Sequence, residues 1–309
     1  MEGFSIGDRV VVDPILSCPT RGIDKLCSFC QCGEFSRCKH FAEGILSPGL
    51  IIGTCHDTGG GWSPYFVAHK SQLFRVPDNV SDENAILVDP LCSALHPVMR
   101  NFPNDEDVIL IIGAGVIGLC VVAALRASGS KAKIIILAKY DFQGQLAERY
   151  GADEVIYLKR GNDYYEAVAH SLKGKLYKPF FGKRVLVGGA DLVFECVGTD
   201  ESIDDALRFT RSGGKMVLVG LAAIPKKVDW TPIWLNELEV RGSFACSTEA
   251  YQGERLRTYQ IALNLMAEGK LDLAPLLTHK FNLADYQKAI ATTVNKSQNK
   301  VIKTVFVFD

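Results

Sequence analysis

Three glycines and four cysteines carry most of the chemistry legible in this 309-residue chain. The glycines stand in the run Gly113-Ala114-Gly115-Val116-Ile117-Gly118. Between a buried strand and a helix, this spacing cradles the pyrophosphate of a dinucleotide. Gly113 permits the tight turn, Gly115 lets backbone approach a pyrophosphate, and Gly118 lets the helix pack on the strand. Free N–H groups at the positive end of the helix would meet the phosphates. The cysteines are Cys18, Cys27, Cys30 and Cys38, spaced C-x8-C-x2-C-x7-C. Four thiolates suit one tetrahedral Zn2+ that keeps no position open for a substrate, which makes the expected zinc structural. Cys32 is a fifth thiol, too close to Cys30 for the usual x2 step, and His40 is expected to be a surface residue.

These residues need elements to hold them. An apolar run, 108–112, precedes the glycines and a helix-compatible segment, 119–127, follows them. The stretch 108–125 is uninterrupted apolar residues or Gly, long enough to suggest a membrane span. Three mid-run glycines, each costing a helix about 1 kcal/mol relative to Ala, favour strand, turn and helix instead. Downstream, strands are expected at 134–138, 154–157, 191–196, 216–220 and 238–244. Helices are expected at 142–150, 163–171, 202–209 and around 256–268. That alternation predicts a parallel, doubly wound sheet. A basic insertion at 173–184 reads as a loop with solvated charges.

The front of the chain has a different texture. The cysteine lobe shows no apolar periodicity, so bound metal rather than a core must fold it. Residues 7–14 read as a turn into a strand that needs a partner from elsewhere. Short strands are expected between 51 and 77, including 65–68, and they suggest a small barrel-like β domain. Asp89-Pro90 reads as an N-cap followed by Pro at the first helical position, with Leu91, Leu95 and Val98 on the helix that follows. In the tail, 277–281 and 300–308 read as strands around a helix at 283–293, able to rejoin the front β domain.

Composition narrows the function classes. Lys and Arg number 34 against 35 Asp and Glu, spread along the chain, so neither nucleic acid nor a membrane surface is expected as a partner. Met1-Glu2-Gly3-Phe4 lacks a secretory leader pattern. Ten cysteines without such a leader point to thiols and metal sites in a reducing compartment, the cytoplasm by default.

Cofactor choice is read at the end of the second strand, about 20 residues past the glycine turn, where a carboxylate would bind a ribose 2′-OH. Here Ala138 and then Lys139 occupy that place. A small residue and a cation accept a 2′-phosphate, which favours NADP over NAD. The other reading is that Asp141, three residues past Ala138, reaches the ribose.

The whole set resembles the zinc-containing medium-chain dehydrogenase/reductase family, which includes alcohol, sorbitol and threonine dehydrogenases. The matching residues are Gly7-Asp8-Arg9-Val10, the cysteine lobe, Asp89-Pro90-Leu91, Gly113 to Gly118, Gly151-Ala152-Asp153, the run from Asp191 to Gly198, and Gly213-Gly214-Lys215. The resemblance covers essentially all 309 residues. It implies an α/β fold: a Rossmann doubly wound parallel sheet plus an incomplete GroES-like β domain. The expected division is 1–92 for the GroES-like part, 93–245 for the Rossmann domain, and 246–309 returning to the catalytic domain. It implies NAD(P)-linked oxidation of a small alcohol or polyol, with Val197, Gly198, Val219, Gly220 and Leu221 flanking the cofactor. It also implies a homo-oligomer, joined through the strand at 238–244.

The family's catalytic zinc takes a Cys and a His-Glu pair from the front of the catalytic domain, and the zinc acidifies the bound alcohol. No His-Glu pair occurs in this sequence. The chain therefore reads as N-terminally truncated and impaired in alcohol oxidation. A non-catalytic dinucleotide-binding protein held by structural zinc is the alternative. Asp89 stands where polyol-type members carry Glu before Pro-Leu, and reads equally as a remnant zinc ligand or as a helix cap. Cys92, His96 and His170 are expected to be packing residues. The first thiolate of the lobe, Cys18, lies farther upstream than in the family's commoner C-x2-C-x2-C start.

Overall fold

The computed structural model describes residues 3–158 and 163–308. Met1 and Glu2, read above for a leader, lie outside the described residues. Cα packing divides the chain into two compact units, one comprising Met1–Cys92 with Ala245–Asp309 and the other Ser93–Phe244.

The front of the first unit holds little regular structure. Strand β1 (Val10–Val12) pairs antiparallel with β2 (Leu73–Arg75), and between them lies the short helix α1 (Ser28–Gln31). The loop from 17 to 49 is organised around polar groups rather than a core. The fully buried guanidinium of Arg21 donates to the carbonyls of Leu16, Glu43, Leu46, Ser47 and Gly49. Residues 65–68, expected as a strand, form none: Tyr65 and Val67 are about nine-tenths exposed and no neighbouring strand pairs with them. Of the run 50–52, only Ile51 makes a bridge, to Ile15.

Helix α2 (Asp82–Ala85) is capped by Ser81, whose hydroxyl accepts from the Asn84 N–H. Helix α3 (Val88–Arg100) begins one residue before Asp89. Asp89 is thus in the first turn and is not the N-cap expected from Asp-Pro; the preceding turn of α2 runs almost directly into α3 and leaves no extended capping residue there.

The second unit is built on a six-stranded parallel sheet. Its elements run β3 (Val108–Ile112), α4 (Val116–Ala127), β4 (Lys133–Ala138), α5 (Asp141–Arg149), β5 (Glu154–Tyr157) and α6 (Tyr164–Ser171). They continue with β6 (Lys175–Tyr177), β7 (Val185–Val187), β8 (Ala190–Glu195), α7 (Asp200–Phe209), β9 (Thr210–Leu218), α8 (Thr231–Leu235) and β10 (Glu239–Gly242). The sheet order is β10-β9-β8-β3-β4-β5, and every pair is parallel. Ile109, Leu110 and Ile111 of β3, Ile134 to Ile136 of β4, and Phe194 of β8 are fully buried, as strands covered on both faces must be. The apolar stretch 108–125 is strand, glycine turn and a helix of 12 residues. Among the described residues, no helix is long and apolar enough to cross a membrane.

The basic segment 173–184 is strand in part rather than all loop, while Lys173, Lys175 and Lys178 are exposed to solvent as expected. β6 and β7 pair antiparallel as a hairpin, and Lys183 and Arg184 are ion-paired to Asp204 and Asp163.

The tail completes the first unit. Strands β11 (Thr248–Tyr251) and β12 (Glu254–Arg257) form a hairpin, part of which the sequence predicts as helix. Helix α9 spans Thr258–Ala267. β13 (Leu277–Asn282), α10 (Tyr286–Val294), α11 (Lys296–Asn299) and β14 (Lys303–Val307) follow. β13 and β14 pair with each other in parallel rather than extending the β1–β2 sheet.

Candidate functional site

Strand order in the sheet reverses between β8 and β3, which opens a crevice at their carboxyl ends. Four segments emerge there from adjacent strands. The glycine turn follows β3, Lys139 follows β4, Val197 and Gly198 follow β8, and Val219 to Leu221 follow β9. Sequence spacing alone could not place the last two segments beside the first; parallel pairing of β3, β8 and β9 does.

The glycine turn meets the geometric demands of a phosphate cradle. Gly113 has φ +100°, a left-handed conformation, and a Cβ there would strike Val197. A Cβ on Gly118 would collide with the Gly113 carbonyl oxygen, so the close helix–strand packing requires glycine. Gly115 caps the helix N-terminus and faces open space, with nothing within 4 Å of where a Cβ would stand. The backbone N–H groups that open α4 are therefore approachable by an anion. Ala114 is buried, and Val116 and Ile117 form the first turn of α4.

Glu195 is the site residue that the motifs do not single out. It is fully buried at the end of β8, and its Oε1 accepts from the N–H of Val197 and of Gly198, both at 2.8 Å. Its carbonyl accepts from Val219 and Gly220, both at 2.9 Å. One residue thus ties together the turns after β8 and β9. A Glu closing an otherwise apolar strand, Leu192-Val193-Phe194-Glu195, is the signal in the sequence that could have found it. Beyond these turns Val197 and Leu221 expose their side chains.

At the end of β4, Ala138 is buried and Lys139 is exposed. Gln143 of α5 fixes the turn: its Oε1 accepts from the N–H of Lys139 and of Tyr140, both at 3.3 Å. The Lys139 ammonium lies 5.8 Å from the Tyr140 ring centre, and Asp141 opens α5.

In the first unit, the Sγ atoms of Cys18, Cys27, Cys30 and Cys38 all lie within 4.8 Å of one another. None is in a disulfide. Burial raises the Cys27 thiol, but the N–H groups of Lys39 and Cys30 and the thiols of Cys30 and Cys18 outweigh it and draw it down to about 6. Burial pushes the Cys30 thiol up. A donor set of four convergent sulfurs, one already biased to thiolate, fits a tetrahedral zinc. His40 is half-buried, and its Nδ1 lies 3.5 Å from Cys18 Sγ, so it belongs to the shell of this cluster instead of the open surface. The β11–β12 hairpin grips the lobe as well. Thr248 Oγ1 donates to the Gly33 carbonyl at 2.9 Å, and Arg255 donates to that of Cys32 at 2.7 Å. The exposed Cys32 is outside the cluster.

Asp89 is exposed, and its Oδ1 accepts from the buried Tyr259 hydroxyl at 2.7 Å. Asp13, almost fully buried, pairs with Arg257 and accepts from the Cys246 thiol. Burial raises the Asp13 carboxyl, and Arg257 offsets part of the rise. Among the described residues, no second group of three or more His, Cys, Asp or Glu converges as the four cysteines do. Cys92 and His96 are buried, as expected, but His170 is exposed on the last turn of α6, where the helix turns it away from the sheet.

Known proteins share this plan. Residues 1–78 match the alcohol dehydrogenase GroES-like domain, and residues 116–260 match the zinc-binding dehydrogenase domain. L-idonate 5-dehydrogenase of Vitis vinifera is 30% identical over 307 residues, covering 99% of this chain and 74% of that protein. A structure from Sinorhizobium meliloti 1021, solved bound to NADP, superposes with a TM-score of 0.75 at 23% identity and covers 100% of this chain and 79% of that one. An alcohol dehydrogenase from Escherichia coli CFT073, complexed with NADH, superposes with a TM-score of 0.75 at 23% identity over 99% of this chain and 80% of its own. The fold is therefore an α/β Rossmann sheet accompanied by a GroES-like domain, and the chain belongs to the zinc-containing medium-chain dehydrogenase family.

Proposed function

We propose that this chain binds NADP(H) across the carboxyl ends of β3, β4, β8 and β9, and descends from dehydrogenases that move hydride between a small secondary alcohol or polyol and the nicotinamide ring. The observation that carries this reading is the convergence of the open Gly115 turn with the Glu195-tied turns at the reversal of strand order. Gly113, Ala114, Gly115, Val116, Ile117 and Gly118 would hold the pyrophosphate. Val197, Gly198, Val219, Gly220 and Leu221 would flank the ring. The exposed Lys139, following the small Ala138, supports a 2′-phosphate over a bare 2′-hydroxyl. Bound dinucleotide supplies the hydride acceptor; the protein supplies orientation and a partly apolar wall.

Cys18, Cys27, Cys30 and Cys38 would hold a structural zinc that folds the lobe. The roles given to 1–92, 93–245 and 246–309 belong to the same reading, as does a homo-oligomer formed through the free edge of β10. The cytoplasm suits the reduced thiols.

The second reading, a dinucleotide binder without dehydrogenase activity, is favoured by a specific observation. Asp89, the one candidate remnant ligand, already accepts a hydrogen bond from Tyr259. Alcohol oxidation by these 309 residues is accordingly expected to be weak or absent. Fluorescence titration with NADPH and NADH, followed by assay on secondary alcohols and polyols, tests the proposal. Tighter NADPH binding supports the Lys139 argument, and Lys139→Asp should weaken NADPH by about tenfold or more. Tighter NADH binding by the unaltered chain overturns it. Robust polyol oxidation would reject the second reading.

A further inference from the structure

We propose that Phe180 and Phe181, at the tip of the β6–β7 hairpin, cover the adenine of the bound dinucleotide, an inference that rests on the proposed cofactor site. The body of the hairpin is fixed. Leu176 and the buried Leu186, paired across it, join the core of the unit. The turn between the strands, 178–184, carries the two phenylalanines at its apex. They are 93% and 83% exposed. Their rings pack edge-to-face on each other, 4.6 Å apart.

Chain direction and two ion pairs place that tip. In a parallel sheet each helix starts at the carboxyl ends of the strands and returns the chain to their amino ends. The hairpin leaves the last turn of α6 and hands over to the amino end of β8, so its base is at the amino ends and its tip points back towards the carboxyl ends. Arg184 pairs with Asp163, the residue before the first turn of α6, and lies over the Tyr165 ring at 4.9 Å. The hairpin is therefore already level with the start of α6 before its apex is reached. Lys183 pairs with Asp204 of α7 at 2.8 Å. Asp204 stands about 6 Å along the helix from its first residue, Asp200, and Thr199 joins that helix to Gly198. Phe181 and Phe180 lie two and three residues before Lys183, a reach of about 7–10 Å. The rings thus stand at the carboxyl-end crevice. Adjacent uncovered apolar rings beside a crevice point to a ligand-binding groove.

Position along the crevice selects the adenine. α6 follows β5, the outer strand beyond β4, and lies beside α7, with Tyr164 donating to Asp205 at 2.7 Å. The tip beside the start of α6 is therefore on the β4–β5 side of the crevice. Lys139, which would meet the adenosine ribose, follows β4 on that same side. The candidate neighbours of the nicotinamide, Val219 to Leu221, follow β9 on the other side of β8. The part of a dinucleotide that offers a broad π face near the adenosine ribose is the purine, and purines stack on aromatic side chains. The two rings stand at 85° to each other, so a base stacked on one meets the edge of the other, both favourable aromatic contacts.

The test is calorimetric titration of the full chain with NADPH, with NADH, and with ADP-ribose, which keeps the adenine and pyrophosphate but lacks the nicotinamide. Phe180→Ala with Phe181→Ala should weaken ADP-ribose and the tighter dinucleotide alike, by about tenfold, and leave the thermal midpoint unchanged. Phe181→Trp should keep the parent's affinity, and ADP-ribose should quench the emission of the added indole. A parent that binds ADP-ribose and a dinucleotide, with an alanine double variant that binds both as tightly, would overturn the proposal and leave the cofactor reading standing. A parent that binds neither ligand would overturn the cofactor reading and the proposal with it. Loss of dinucleotide affinity without loss of ADP-ribose affinity would put the rings at the nicotinamide end and overturn the proposal. So would an indole whose emission ignores bound ADP-ribose, or a parent dimer in sedimentation velocity that the alanine double variant turns into monomer.

Discussion

Glu195 Oε1 receives the Gly198 N–H at 2.8 Å across a left-handed turn in which Gly198 has φ +83°. The same oxygen receives the Val197 N–H, so a fully buried carboxylate replaces water for two backbone groups that no strand pairs. Its second oxygen, Oε2, has no hydrogen-bond partner among the described residues, and a Cβ on Gly220 would come within 2.6 Å of it. The turns after β8 and β9 are thus spaced by one side chain with no slack. Gly220 cannot be enlarged without moving it.

That relationship predicts a split between two variants. Glu195→Gln keeps an acceptor oxygen and should stay within about 1 kcal/mol of the parent. Glu195→Ala leaves two buried N–H groups unpaired and should cost about 2–4 kcal/mol. It should also loosen the turns and weaken NADPH binding well beyond the loss seen with Gln. Denaturant unfolding and fluorescence titration read the two effects. Equal behaviour of Gln and Ala would show that the carboxylate does not set the turns.

The cysteine lobe makes a second prediction. Its 17–49 loop is held by Arg21 and four sulfurs, with almost no apolar core. Metal analysis should give about one zinc per chain. A strong chelator, or Cys30→Ser, should remove it and lower the thermal midpoint, and added zinc should restore the midpoint only for the unaltered chain. A chain that purifies without metal and shows no response to chelation would reject the site.

Periodic stretches give away their structure in the sequence, and polar anchors do not. The strands at 108–112 and 134–138 are where the sequence puts them, because parallel strands covered on both faces read as unbroken apolar runs. The glycine turn is legible because each glycine answers a separate steric demand. The strand expected at 65–68 does not form because β propensity describes a fit to neighbouring strands, and Tyr65 and Val67 have none here. The β6–β7 and β11–β12 hairpins escape the sequence for opposite reasons. Lysines mask the alternation in the first, and Gln252-Gly253 is the inconspicuous turn of the second, with Gln252 at φ +51° and Gly253 at φ +84°. The role of Glu195 depends on which strand lies beside β8, and spacing does not reveal that.

Asp13 and Arg257 are 244 positions apart in sequence and form an ion pair with Asp13 only 1% exposed. Arg257 also lies over the Phe35 ring at 4.2 Å. The pair fastens the end of the β11–β12 hairpin to the residue after β1. Asp13→Ala would strand the guanidinium and should cost about 3 kcal/mol. Asp13→Leu combined with Arg257→Met should recover most of that loss, because an apolar pair needs no mutual desolvation. A double variant as unstable as Asp13→Ala would show that the hydrogen bonds to Ile15 and Cys246 matter more than the charge pair.

Asp204 gives a pH-dependent prediction. Its side chain is 2% exposed and accepts from Arg208 at 3.0 Å, Lys183 at 2.8 Å and the Asp229 N–H at 2.9 Å. Burial raises its carboxyl, but these donors outweigh burial and hold it below the ordinary 3.8. A folded value below the unfolded one means that the carboxylate stabilises the fold fully above 3.8, and that this contribution disappears as pH falls through the lower, folded value. Asp204→Asn should therefore be less stable than the parent by about 3 kcal/mol near neutral pH. The gap should hold steady down to about pH 4 and close progressively below it. Denaturant midpoints of both proteins across that range measure the gap directly. A gap that begins to close near neutrality, or one that widens in acid, would show that Asp204 enters the fold with its proton on.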